Sequence, residues 1–220
     1  IDYDNTLKGE HKEQVTSVNV SLFNLVQDWL ERIPFIKTDN FDFWQKYREA
    51  VDKLLLQDRA IIENNKSLSD EKRKSQLESF ERTKESFLSL FDGNYHNSLI
   101  EKGEKRLSFK ATLSALFINL YRDEPILFTP FQFLTAIVEM DEQFTIWRYR
   151  HAIMVHRMIG AKIGTGGSSG QHYLMSTVEK HRVFVDLFNL STYLIPRSEL
   201  PSLPDDLLTE LGFYYDKIKR

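Results

Sequence analysis

Two stretches of this 220-residue chain carry residue types that could do chemistry. The first runs Phe144-Thr-Ile-Trp-Arg-Tyr-Arg-His151-Ala-Ile-Met-Val-His156-Arg-Met158. Phe144, Trp147, His151, Met154 and Met158 recur at spacings of three and four, so they share one face of a helix. His151 therefore lies in the middle of an apolar stripe. An imidazole in that setting is either a core histidine, its ring nitrogens satisfied by neighbours, or an axial ligand to a haem iron. The second use wants a neutral ring, an aromatic and aliphatic pocket, and cations near the propionates. Arg148 and Arg150 lie within one turn of His151, and Arg157 follows, although solvation alone explains surface arginines. His151 and His156, five residues apart, point about 140° away from each other, which disfavours a shared zinc ion. No H-E-x-x-H motif is present.

The second stretch is Ile163-Gly-Thr-Gly-Gly-Ser-Ser-Gly-Gln-His-Tyr-Leu174. Gly160, Gly164, Gly166, Gly167 and Gly170 make up five of the nine glycines in the chain. Such a cluster cradles a phosphate or forms a movable loop over a site. A P-loop needs G-x-x-x-x-G-K-[ST], and no lysine follows these glycines. A dinucleotide fingerprint needs G-x-G-x-x-G between a strand and a helix, whereas this run reads G-x-G-x-x-S after a helix. A loop over a polar ligand head fits better, since glycines lower the cost of moving the backbone and Thr and Ser offer hydroxyls. A plain flexible connector is the competing explanation. No serine sits on a G-x-S-x-G elbow.

Composition narrows the rest. A net charge of −3 and a pI of about 6.1 give no basic field for nucleic acid. No apolar run is long enough to span a membrane and no signal-peptide pattern is visible, so a cytoplasmic protein is expected. With zero cysteines there is no disulfide, thiolate metal site or cysteine nucleophile. An aromatic content of 13% suits a flat ligand or a large helical core.

The elements that must position these groups read as helices throughout, and no segment alternates as a strand should. The first runs from Val18 and ends at Pro34. A second starts near Asp39 or Asn40 and reaches about Asn64; a third, capped by Ser69, reaches Phe91. These two form a charged antiparallel hairpin. The stretch "DGNYHNSLIEKGEKR" is expected to break the pattern. Ser108 then caps a helix through Tyr121, and Pro125 and Pro130 bracket a turn. Separate helices are expected from Phe131 to about Met140 and from Asp141 or Glu142 to about Met158. Val178 to Tyr193 is again periodic, and Asp205 or Asp206 leads a last helix to about Tyr215. The fold class is all-α. Residues 1–39 and 93–220 form the main domain, with 40–92 as a helical-hairpin subdomain.

The strings "WRYRHAIMVHRMIGAKIGTGGSSGQHYLMST" and "RVFVDLFNLSTYLIPR" closely resemble the tryptophan 2,3-dioxygenase family. So do "DWLERIP", "SLFDGNYHNSLIEKGEKRLSFKATLSALFINLYRDEP" and "PFQFLTAIVEMDEQFTIWRYRH", so the likeness covers nearly the whole chain. It is nearest the animal forms, which carry a hairpin like residues 40–92. The resemblance implies an all-α haem-dioxygenase fold and a cytoplasmic homotetramer binding haem b. It implies insertion of both atoms of O₂ across the indole C2–C3 bond of L-tryptophan. The product would be N-formyl-L-kynurenine, at the head of the kynurenine pathway. By the same resemblance His151 is the proximal iron ligand, and Trp147 and Tyr173 line the haem pocket. Arg148 is placed at a propionate. Thr165 contacts the amino-acid head of the substrate. Gly164, Gly166, Gly167 and Ser168 belong to the same loop, which closes over substrate.

One departure stands out. The family's distal histidine and the arginine for the substrate carboxylate belong to an N-terminal segment that is absent here, so no residue of this chain is assigned as the catalytic base. His11 and His96 do not fill that role. The expectation is that this is the C-terminal piece of a cut enzyme, with the N-terminal piece bound as a separate polypeptide. A non-catalytic haem-binding or sensor protein is the alternative, and a helical interaction module is a third. Trp29, Arg32 and Pro34 end one helix together, either as a shallow contact site or as ordinary packing.

Overall fold

The computed structural model describes residues 21–33, 37–38, 41–160, 174–175, 178, 180 and 182–211. The chain divides into two compact units, Ile1–Val26 with Thr135–Val185, and Gln27–Leu134 with Asp186–Arg220. The fold is all-α, as the sequence predicts. Among the described residues the extended structure is a two-residue antiparallel ladder, β1 (Lys37–Thr38) against β2 (Phe41–Asp42).

Helix α1 covers Leu22–Glu31. In the second unit, helix α2 (Phe43–Asn64) and helix α3 (Asp70–Phe91) form the expected hairpin. Asp42 caps α2 by accepting from the N–H groups of Trp44 and Gln45, and Ser69 caps α3 through Lys72. These caps satisfy donors that a helix start leaves open. The stretch expected to be irregular instead contains helix α4 (Gly93–Glu101). Asp92 explains it. Its N–H closes α3 on the Leu88 carbonyl, while its carboxylate accepts from Asn94 and Tyr95. One residue thus ends one helix and starts the next. The chain leaves α4 through Gly103 at φ 74°, a conformation that costs glycine little.

Helix α5 (Phe109–Leu120) is the centre of this unit, with Ala111, Ala115, Leu116, Phe117 and Ile118 fully buried. The Phe43 ring meets Phe117 edge-on at 5.0 Å and Tyr121 at 5.5 Å. Edge-to-face pairs add to the burial of such large rings. The buried Tyr47 hydroxyl donates to the Tyr193 carbonyl, and Tyr121 donates to the Pro201 carbonyl at 2.6 Å. Burial, with neighbouring Tyr193 and Tyr121, pushes the Tyr47 hydroxyl well above its ordinary range. Lys53 pairs with Glu199 at 2.8 Å. The Tyr47 and Lys53 contacts join the hairpin to the segment Asn189–Glu199.

Helix α6 (Pro125–Ile159) corrects the sequence reading. It is one helix of 35 residues, not a turn followed by two helices. Pro125 takes the first helical position, where a missing N–H costs nothing. Pro130 removes only one backbone hydrogen bond near the start. Asp141 does not begin a helix because its carboxylate is engaged elsewhere: it accepts from Val183 and from Phe184, each at 3.0 Å. The same contacts explain a second difference. The periodic stretch from Val178 to Tyr193 is not one helix, because Val183 and Phe184 give their N–H groups to a side chain. A single turn, α7 (Val185–Phe188), follows, and then 3₁₀ turns over Asn189–Tyr193. A last helix, α8, covers Asp205–Leu211.

Candidate functional site

The C-terminal half of α6 presents two unlike faces. Asp141 and Ala152 are buried, and this side is held by the Asp141 contacts and the Thr145 hydroxyl on the Asp141 carbonyl. The stripe singled out in the sequence faces the other way. Phe144 is 52% exposed, Trp147 61%, Met154 50% and Met158 76%. So many large apolar side chains in the open on one helix mark a surface that something covers.

His151 stands in that stripe, half-buried. Its ring stacks on Trp147 with centroids 5.6 Å apart and planes 8° from parallel. Among the described residues no hydrogen bond reaches its ring nitrogens. The buried His96 shows what a satisfied core histidine looks like here: Nδ1 lies 3.3 Å from the Ser89 carbonyl and Nε2 3.0 Å from the Leu107 carbonyl. His151 has neither the burial nor the partners.

Arg148 adds a second observation. It lies one turn before Ala152, turned partly toward the buried side, and its Nη1 is buried without an acceptor among the described residues. A buried guanidinium nitrogen without a partner is costly, and an anionic group would relieve it. A free imidazole, a parallel indole, exposed methionines and an unsatisfied cation together fit an iron porphyrin with carboxylate side chains.

The helix ends as its sequence dictates. Gly160 adopts φ 66° and donates to the His156 carbonyl at 2.8 Å. The loop residues Gly164, Thr165, Gly166, Gly167 and Ser168, with Tyr173, lie outside the described residues. What the structure does show is where the chain returns: Asp141 holds Val183 and Phe184 against α6. Sequence reasoning missed this role for Asp141. The available signal was an acid within an apolar periodic run. Of the Trp29 cluster, Trp29 packs edge-on against Phe133 at 5.1 Å, Arg32 is exposed, and Pro34 lies outside the described residues.

A helical chain with a free histidine on an open apolar helix face has clear relatives. The profile of the tryptophan 2,3-dioxygenase family matches residues 2–194. Tryptophan 2,3-dioxygenase of Alteromonas mediterranea is 50% identical over 194 residues, covering 88% of this chain and 54% of that protein. The Dictyostelium discoideum enzyme of that name is 49% identical, covering 91% and 50%. The Mus musculus one is 45% identical, covering 92% and 48%. The chain belongs to the tryptophan 2,3-dioxygenase family, and spans about half the length of the curated relatives it matches.

Proposed function

We propose that this chain carries the proximal side of a haem-dependent dioxygenase. The enzyme would cleave the indole C2–C3 bond of L-tryptophan with O₂ to give N-formyl-L-kynurenine, the entry to the kynurenine pathway. The observation that carries the reading is His151, half-buried, stacked on Trp147 and without a hydrogen-bond partner among the described residues. Family membership supports the substrate and the reaction.

Bound haem b would supply the iron centre that activates dioxygen. The chain's own residues do the rest. His151 would offer a ring nitrogen to the iron, and Trp147 would fix the plane of that ring by stacking. Arg148 neutralises a propionate. Thr165, with Gly164, Gly166, Gly167 and Ser168, takes the amino-acid head of the substrate and closes over it, and Tyr173 lines the pocket. Closure excludes water from the reacting groups. The working assembly is a cytoplasmic homotetramer.

The test is an absorption spectrum of the haem-supplemented protein, oxidised and then reduced under carbon monoxide. A Soret band that shifts as for a histidine-ligated ferrous haem is expected, with formylkynurenine produced from tryptophan. His151→Ala should lose haem and activity while keeping its helical circular dichroism. Thr165→Ala should keep haem and raise the Michaelis constant for tryptophan. Normal haem content in His151→Ala would refute the assignment.

A further inference from the structure

Far along the sequence from His151, the second unit forms a half-open cavity of about 410 Å³ lined by α3, α4, Glu104 and Lys105, α5 and the Asp186–Tyr193 segment. Its floor is buried and hydroxyl-bearing. Thr112 is 2% exposed, and Ser89 and Tyr193 are buried beside it. The Ser89 hydroxyl is spent on the Ser86 carbonyl at 2.8 Å, but no hydrogen bond reaches the Thr112 hydroxyl among the described residues.

The rim is charged, and Arg82, Glu85 and Glu104 on it are exposed. Arg82, Glu85, Glu104 and Lys105 all line the cavity. Among the described residues none of the four comes within ion-pair distance of an opposite charge. Glu85 accepts only from the Tyr95 hydroxyl at 3.3 Å, and Lys105 Nζ donates to the Tyr193 hydroxyl at 3.1 Å. Desolvation, and then the neighbouring Glu85 and Glu104 carboxylates, raise the Tyr95 hydroxyl above its ordinary range and keep it a donor. Asp186 also lines the cavity, with its Oδ2 accepting from the N–H groups of Arg106 and Leu107 at 2.6 Å. Two cations, the Glu85 and Glu104 carboxylates and this anchored third carboxylate thus share one cavity. A solute carrying both charges at a short fixed spacing would pair with each sign at once, through charge-assisted hydrogen bonds. The volume suits a free amino acid, and the hydroxyl floor favours a polar side chain over an apolar one.

We propose that this cavity binds a small zwitterion of the α-amino-acid class, its carboxylate toward Lys105 and Arg82 and its ammonium toward Glu85 and Glu104. The site shares no residue with the one built on His151, and only the tryptophan and Thr165 arms of its test rest on the function proposed there.

The probe is L-glutamine, read by saturation-transfer difference NMR on the full-length holoenzyme with tryptophan present to fill the loop site. Glutamine should give a saturable signal. Glutaramic acid, which lacks the ammonium, and glutaminamide, which lacks the carboxylate, should each bind roughly tenfold more weakly or worse. Lys105→Met and the rim variant Glu85→Gln should each weaken glutamine by a similar factor, whereas Thr165→Ala should leave it unchanged. No glutamine signal would overturn the proposal. So would binding that survives both cavity variants, or binding lost in Thr165→Ala, which would place the amino acid in the loop site.

Discussion

At the scale of single residues, similar side chains do different work according to their partners. His96 and His151 have the same chemistry, but His96 touches two carbonyl oxygens in the core, whereas His151 stacks on an indole face and has no hydrogen bond among the described residues. The spacing around His151 made its stripe legible in the sequence. That the stripe points outward was not legible, because periodicity defines a face and not what the face meets. Asp141 was hidden more deeply, since its partners lie some forty residues downstream and no local pattern announces them. It gives the sharpest prediction at this scale. Asp141→Ala leaves the Val183 and Phe184 N–H groups without their acceptor and should cost about 2–3 kcal/mol in denaturant unfolding. Asp141→Asn keeps one acceptor oxygen and should cost less. Equal stability of the alanine variant and wild type would show that those amides find other partners.

Among the elements, the hairpin and α5 were readable because their signals are local: apolar spacing, the Ser69 and Ser108 caps, and a polar reversal between α2 and α3. The single helix α6 was not, because prolines at its start look like stops. Proline breaks a helix by removing a donor and crowding the preceding turn; at Pro125 the donor has no helical partner to lose, and at Pro130 a single bond is lost near the start of a long helix. Helix α4 was missed for the opposite reason. Its glycine and polar residues look irregular, but Asp92 organises them by serving two helix ends at once. Asp92→Ala should therefore cost about 1 kcal/mol, the worth of a good N-cap, with Asp92→Ser recovering most of it. Thermal melts of the three proteins would decide. A serine variant no better than alanine would mean that the carboxylate acts through charge and not as a cap.

At the level of the whole molecule, the question is what covers the exposed side of α6. Two patches share it. One, from Phe144 through Trp147 to Met158, surrounds His151 and is the patch proposed for the cofactor. The other consists of Ile146, Tyr149 and Ile153, at 41%, 48% and 36% exposure, and it lies about 140–200° further round the helix. A porphyrin held by His151 cannot reach around the helix to cover it. No described helix is long and apolar enough to cross a membrane. In the proposed homotetramer they would face another subunit, where aromatic and aliphatic side chains concentrate at the buried centre of an interface. Ile146 and Ile153 are seven residues apart and share one line along the helix. Replacing both with lysine puts two charges into that contact and removes little from the core of the subunit. Ile146→Lys combined with Ile153→Lys should shift the protein to a smaller species in light scattering coupled to size exclusion. Its far-ultraviolet circular dichroism should stay as in wild type. Haem affinity should fall less than in His151→Ala, because the cofactor patch is untouched. An unchanged mass would place the subunit contact elsewhere and leave this line of isoleucines to a different partner.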